Sequence, residues 1–154
     1  MMTPAQRRYV MIETSISVAI NTVISIGFVW LAFGGSSSVA VRALVLDAVP
    51  QSFMITLMSV LVPGMLTARR LKSGRIAAIP SSSAPWPLGL RALFAAIIAV
   101  VLGVAVNLVG LSLWSPAAVS FSAVLAIKVS YGATLAAIVT PLMLRSALAA
   151  HRSP

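Results

Sequence analysis

The chain has 154 residues, of which 60% are hydrophobic and only 8% are charged. A soluble domain is about 45–50% apolar and about 25% charged, so this chain lacks the charge needed to cover a water-facing surface. Its formal net charge of +9 does not indicate nucleic-acid binding, because the cations flank apolar segments and no basic stripe carries interleaved aromatic residues. The composition therefore predicts an integral membrane protein.

Four apolar stretches lie along the chain, each close to the roughly 20 residues that span a bilayer. Their charge-free runs predict helices at about 9–32, 49–69, 91–114 and 119–147. The predicted fold is all-α: a single membrane domain of four transmembrane helices.

The positions of the cations predict the orientation of these helices. Nine of them precede the first helix, lie in the middle connection at about 70–90, or border the last two helices: Arg7, Arg8, Arg69, Arg70, Lys72, Arg75, Arg91, Arg145 and Arg152. By the positive-inside rule, both termini and the middle connection are expected in the cytoplasm, against the anionic headgroups of the cytoplasmic (inner) membrane. The stretch 79–89 within that connection is rich in Pro and Ser, which predicts a flexible linker.

The two halves of the sequence resemble each other. Residues 56–66 align without gaps on 134–144, with Thr-Leu, Pro and Met-Leu coinciding. The first and third helices align less well, with Asn21 over Asn107. Chance coincidence of apolar residues is the alternative. We predict a duplication, with one two-helix hairpin at about 9–70 and a second, parallel one at about 91–147.

Small and polar residues recur every fourth position in the first helix, at Glu13, Ser17 and Asn21, which keeps them on one face. The matched positions in the third helix include Gly103 and Asn107. These rows fit helix-packing interfaces with interhelical hydrogen bonds, or else the lining of a polar passage. The sequence favours packing interfaces, because one asparagine per half is little polar surface for a passage.

Two charged side chains fall inside predicted helices and away from the helix ends. Glu13 could serve a proton-coupled exporter, but a salt bridge to Arg145 or Arg91 is favoured. Lys128 could bind a substrate within the membrane. The repeat register instead places it near Asp47 at the outer interface, where its stem would snorkel to water.

Pro63 and Pro141 occupy matched positions and are predicted to kink their helices. Matched breaks in two halves can mark a transporter's binding site, although membrane helices also tolerate proline without any such role.

Enzyme chemistry finds little support in the sequence. There is no cysteine, and His151 is the single histidine, so a metal or haem held by paired histidines or thiolates is not expected. No catalytic or phosphate-binding motif is recognisable. We therefore predict a non-enzymatic protein without a cofactor or metal.

Two functional classes remain. The first, which the sequence favours, is a non-catalytic accessory or scaffold subunit that binds another membrane protein or a second copy. The alternative is a small dimeric permease or exporter for a small solute or ion, using Glu13, Asn21, Asn107 and the two prolines. The small number of intramembrane polar groups favours the first class.

Overall fold

The computed structural model describes residues 2–79, 86–114 and 117–149. It contains four helices and two short strands: α1 (Pro4–Phe33), β1 (Ser38–Ala40), α2 (Val41–Lys72), α3 (Leu88–Trp114), β2 (Ala118–Ser120) and α4 (Phe121–Ala149). Each helix contains a segment long and apolar enough to cross a membrane. The prediction of an all-α protein with four transmembrane helices is confirmed, and the chain is a multi-pass membrane protein.

Three helices begin earlier than predicted, and the difference is larger for α1 and α2 than for α3. Thr3 caps α1: its hydroxyl accepts from the Gln6 backbone N–H at 3.2 Å, and the Gln6 side chain accepts from the Thr3 N–H at 2.8 Å. Pro4 stands in the first turn, where its missing N–H costs nothing. The helix therefore includes the arginine pair that hydropathy had left outside. α2 starts directly after β1, which shortens the connection from α1 to 34–40.

The two strands form a small antiparallel sheet in which Val39 lies opposite Val119. Both valines are buried in an apolar cluster with Val29, Leu44 and Val124. The sheet thereby joins the beginnings of α2 and α4. We call this the sheet end of the bundle. The opposite end, where α1 and α3 begin and α2 and α4 finish, carries the clustered cations and is called the basic end.

The helices pack in an order that differs from two self-contained hairpins. α2 and α4 pack on each other in the middle, while α1 packs mainly on α4 and α3 mainly on α2. Small residues explain these pairings, since they let helix backbones approach closely. A Cβ added to Gly132 of α4 would overlap the Ser25 side chain of α1, and one on Gly103 of α3 would overlap the Ser52 hydroxyl of α2.

The buried faces of α2 and α4 correspond in a register that differs from the sequence alignment. Burial recurs every fourth residue in both helices, at Leu44, Ala48, Ser52, Thr56 and Val60 and at Val124, Lys128, Gly132, Ala136 and Thr140. With Val39 opposite Val119, this matches Thr56 to Ala136. The alignment had matched Thr56 to Thr134, which is exposed. The duplication itself stays a prediction.

The predicted linker is described only in part, because residues 80–85 lie outside the described residues, as do His151 and Arg152. Before that gap, the chain after α2 returns to the bundle: the Ile79 backbone N–H donates to the Leu148 carbonyl at 3.0 Å.

Candidate functional site

Buried polar side chains of α1, α2 and α4 form a line through the bundle, which we call the polar core. Its members recur at three- to five-residue intervals on the inward faces of α1 and α2, and α4 contributes one. They are Ser17, Asn21 and Ser25 of α1, Gln51, Thr56 and Ser59 of α2, and Thr140 of α4. All seven are buried.

A hydrogen-bond network joins the three helices in the middle of the polar core. The Thr140 hydroxyl donates to the Ser17 hydroxyl at 2.8 Å, and the Ser17 hydroxyl donates to that of Ser59 at 3.4 Å. The Asn21 amide donates to the Ser17 carbonyl at 2.8 Å and to the Ser59 hydroxyl at 3.1 Å. Asn21 thus bonds both within α1 and across to α2.

The polar core continues toward the sheet end through Gln51. Its amide nitrogen donates to the Ser25 hydroxyl at 3.4 Å and to the backbone carbonyl of Lys128 at 3.2 Å. The same residue therefore contacts α1 and α4, and it brings the polar core up to the lysine of α4.

Three atoms of the polar core accept no hydrogen bond from the described residues: Asn21 Oδ1, Gln51 Oε1 and Thr56 Oγ1. Buried polar atoms in native proteins are almost always paired, and an unpaired one costs about 1–3 kcal/mol. The polar core thus has hydrogen-bonding capacity that the protein does not itself use.

An ion pair closes the polar core toward the basic end. Glu13, with a side chain 5% exposed, lies 2.7 Å from Arg70, whose guanidinium stacks over the Tyr9 ring at 4.9 Å from its centroid. The Tyr9 hydroxyl bonds to that of Thr67 at 2.9 Å.

The partner of Glu13 differs from our expectation of Arg145 or Arg91. α1 and α2 run antiparallel, so the last turns of α2 bring Arg70 beside the first turns of α1. Arg91 instead donates to the Met143 carbonyl at 3.4 Å, and Arg145 borders a cleft between α1 and α4.

A second ion pair lies at the sheet end. The Lys128 ammonium is 2.9 Å from Asp47 Oδ2 and donates to the Leu44 carbonyl at 3.0 Å. The Lys128 side chain is 1% exposed and that of Asp47 19%. The lysine therefore does not snorkel to water as expected. Because the sheet holds the starts of α2 and α4 together, the first turns of α2 supply its partners inside the bundle.

The structure separates the two asparagines that the sequence had matched. The Asn107 amide donates to the Gly103 carbonyl at 2.8 Å, the same local bond that Asn21 makes to Ser17. Asn107 nevertheless lies on α3, outside the polar core. Gly103 faces the hydroxyls of Ser52 and Tyr131, which hydrogen-bond to each other at 2.6 Å.

The two prolines also lie in different surroundings. Both stand within helices that continue through them. Pro63 is buried, and its carbonyl accepts from the Thr67 hydroxyl at 2.7 Å. Pro141 borders the cleft between α1 and α4. Neither side chain belongs to the polar core.

Sequence reasoning found Glu13 and the polar residues of α1 but missed their partners. Gln51, Thr56, Ser59 and Thr140 were visible as polar residues in apolar helices. Thr56 and Ser59 are spaced by three residues, which places them on one face of α2. The predicted hairpin of α1 and α2 already sets this face, and Arg70, opposite Ser17 and Glu13, but the contacts between the two helices were not worked out from it.

The described residues contain no group of three His, Cys, Asp or Glu side chains that could hold a metal ion. Comparison with family models, curated proteins and solved structures finds no match. The fold and the site therefore define only a class: a four-helix, multi-pass membrane protein with a polar core between three of its helices.

Proposed function

We propose that this protein is a small permease that moves a small polar solute or ion along the polar core. The observation that supports the proposal is the extent of buried polar side chains, continuing from the Glu13–Arg70 ion pair to the Lys128–Asp47 ion pair. Our preference for a packing interface depended on polar groups being scarce. Seven polar side chains and two ion pairs within the bundle remove that reason.

The unused atoms of the polar core indicate the chemistry of the solute. Two of the three, Asn21 Oδ1 and Gln51 Oε1, are amide oxygens that can only accept hydrogen bonds. The third is the hydroxyl of Thr56, which accepts and donates. A permeant species that donates hydrogen bonds satisfies all three, so we propose protons carried by water, ammonium or a small amide.

The accessory role remains the second candidate, and one feature favours it. An apolar groove of about 420 Å³ runs between α3 and α4, bordered by residues such as Leu102, Val106 and Ile138. A helix of another membrane protein or of a second copy could fill it. Purification in mild detergent tests this role: a stoichiometric foreign subunit supports it, whereas a homodimer is compatible with the permease.

The two asparagines provide a matched test of the permease. Asn21→Ala removes an amide inside the polar core, and Asn107→Ala removes one with the same local bond outside it. Each change is expected to cost about 0.6–1.7 kcal/mol of stability. In liposomes containing the purified protein, we expect Asn21→Ala to reduce flux to that of empty liposomes and Asn107→Ala to leave it unchanged. Flux is followed with a trapped pH dye for protons and ammonium, and by osmotic swelling for the small amides urea and acetamide.

A second pair of variants controls for lost packing. Thr56→Val keeps the volume of the side chain and removes a hydroxyl of the polar core, whereas Thr134→Val makes the same change on an exposed face of α4. We expect only Thr56→Val to lose flux. Equal flux through the members of each pair, or wild-type liposomes that pass none of the four probes faster than empty ones, overturns the permease and leaves the accessory role.

We further propose the cytoplasmic (inner) membrane as the location, with both termini and the connection between α2 and α3 in the cytoplasm. The clustering of cations at the basic end supports this orientation.

We also propose the duplication of a two-helix unit, which two structural correspondences support. Asn21 and Asn107 make the same local hydrogen bond, and β1 and β2 precede α2 and α4 in the same way.

A further inference from the structure

A cleft of about 420 Å³ lies between α1 and α4 at the basic end. Arg7 of α1 and Arg145 of α4 border it, and both are exposed. The hydroxyls of Thr14 and Ser15 lie about two turns further along α1, beside the apolar side chains of Val10 and Pro141. The cleft therefore combines two guanidinium groups with hydroxyls and an apolar wall.

No carboxylate side chain of the protein neutralises these two arginines. The sequence has only two acidic residues. Glu13 is bonded to Arg70 and Asp47 to Lys128, and the second pair lies at the opposite end of the bundle. Within the described residues, neither Arg7 nor Arg145 makes an ion pair. Two cations beside one cleft thus lack an anionic partner among the described residues.

The position of the cleft favours an anion that belongs to the membrane. The planar guanidinium group of arginine can donate two parallel hydrogen bonds to phosphate oxygens. Basic pockets between transmembrane helices at the cytoplasmic side are suited to lipid headgroups. From Arg7 to Ser15 the wall of α1 extends about 12 Å along the helix, from charged surroundings to uncharged ones in which Val10 and Pro141 lie beside the hydroxyls. That gradient matches a phospholipid, whose phosphate would meet the arginines while its acyl chains follow the exposed apolar face around Met11.

We propose that this cleft is a binding site for the phosphate of an anionic phospholipid in the leaflet at the basic end. Arg7 and Arg145 bind the phosphate oxygens, and the apolar wall receives the start of the acyl chains. The site is separate from the polar core, so it does not depend on the proposed permease function.

The experiment compares lipid binding to purified protein in detergent by native mass spectrometry. The probes are phosphatidylglycerol, phosphatidylcholine with the same acyl chains, and inorganic phosphate. The test variant is Arg7→Gln/Arg145→Gln. The matched control is Arg69→Gln/Arg75→Gln, which removes the same charge from exposed arginines near the basic end but outside the cleft. Thermal unfolding without added lipid confirms that both variants are folded.

We expect the wild type to bind phosphatidylglycerol in preference to phosphatidylcholine. Two charge-assisted contacts are involved, so the test variant should lose at least about tenfold in phosphatidylglycerol affinity, and the control should change by less than about threefold. Arg7→Lys/Arg145→Lys keeps the positive charge but not the planar guanidinium group, so an intermediate loss of affinity is expected.

An equal loss of affinity in the test and control variants overturns the site, because the overall positive charge of the basic end would then explain binding. If inorganic phosphate binds as tightly as phosphatidylglycerol, the ligand of the cleft is free phosphate and not a lipid. Equal affinity for phosphatidylglycerol and phosphatidylcholine overturns the proposal altogether.

Discussion

Lys128 and Asp47 form an ion pair between α4 and the first turns of α2. Its contribution to the free energy of unfolding depends on how deeply the two charges are buried. The lysine has two oxygen partners, the Asp47 carboxylate and the Leu44 carbonyl, and almost no access to water. Removing one member of a buried ion pair leaves the other uncompensated, which costs far more than removing both. The pair is therefore expected to be strongly coupled in its effect on stability.

We predict that Lys128→Met lowers the free energy of unfolding by about 3 kcal/mol, toward the lower end of the range for buried pairs because Asp47 is partly exposed. The double variant Lys128→Met/Asp47→Ala should recover most of that loss. Thermal and denaturant unfolding in detergent measure both effects. A Lys128→Met protein as stable as the wild type would mean that the ammonium reaches water after all, as the sequence alone had suggested.

At the scale of whole elements, α3 depends on small residues for its contact with the bundle. It packs mainly on α2, and a groove runs between it and α4 beside their contact at Gly103 and Tyr131. Gly103 is the point of closest approach, because a Cβ there would overlap the hydroxyls of both Ser52 and Tyr131. Gly110 on the same helix has open space around it. The two glycines thus differ only in what surrounds them.

We predict that Gly103→Ala destabilises the protein by about 1–3 kcal/mol, the usual cost of overpacking. Gly110→Ala should be neutral or stabilising by up to about 1 kcal/mol, since alanine favours helix over glycine. Unfolding midpoints of the two variants in the same detergent give the comparison. Equal midpoints would show that α3 does not pack as closely on Ser52 and Tyr131 as the structure has it.

The elements differ in how far their sequences determine them. Hydropathy and charge are local properties, so all four helices could be predicted from the sequence. The beginning of α1 could not be placed by hydropathy, because its first turns are polar and are set by the Thr3 cap. The sheet was missed because three-residue strands have no detectable periodicity. The order in which the helices pack depends on contacts such as Gly132 with Ser25, between residues far apart in the chain.

In the candidate site too, local patterns could be predicted from the sequence and contacts between helices could not. The inward row Glu13, Ser17 and Asn21 is a pattern within one helix, and spacing alone revealed it. Its partners come from α2 and α4, and the antiparallel arrangement that brings Arg70 to Glu13 is a tertiary property. The burial of Lys128 depends on the sheet that was itself not predicted.

Across the whole molecule, charge is distributed very unequally between the two ends of the bundle. The helix ends at the basic end carry clustered arginines and a lysine, whereas the described residues of the sheet end carry Arg42 and the Lys128–Asp47 pair. Loops rich in Lys and Arg are retained in the cytoplasm during insertion. An even number of helices then places both termini on one side. The orientation of the whole protein is thus expected to follow from this asymmetry.

The absence of native cysteines makes this orientation directly measurable. Ser36 is exposed in the loop before β1, at the sheet end, and Ser82 belongs to the connection between α2 and α3. From the proposed orientation, with the basic end in the cytoplasm, we predict that a membrane-impermeant maleimide labels Ser36→Cys from outside intact cells and labels Ser82→Cys only after lysis. Denatured samples of both variants, labelled in parallel, control for expression. Labelling of Ser82→Cys in intact cells would reverse the topology, and it would move the proposed lipid cleft to the outer leaflet.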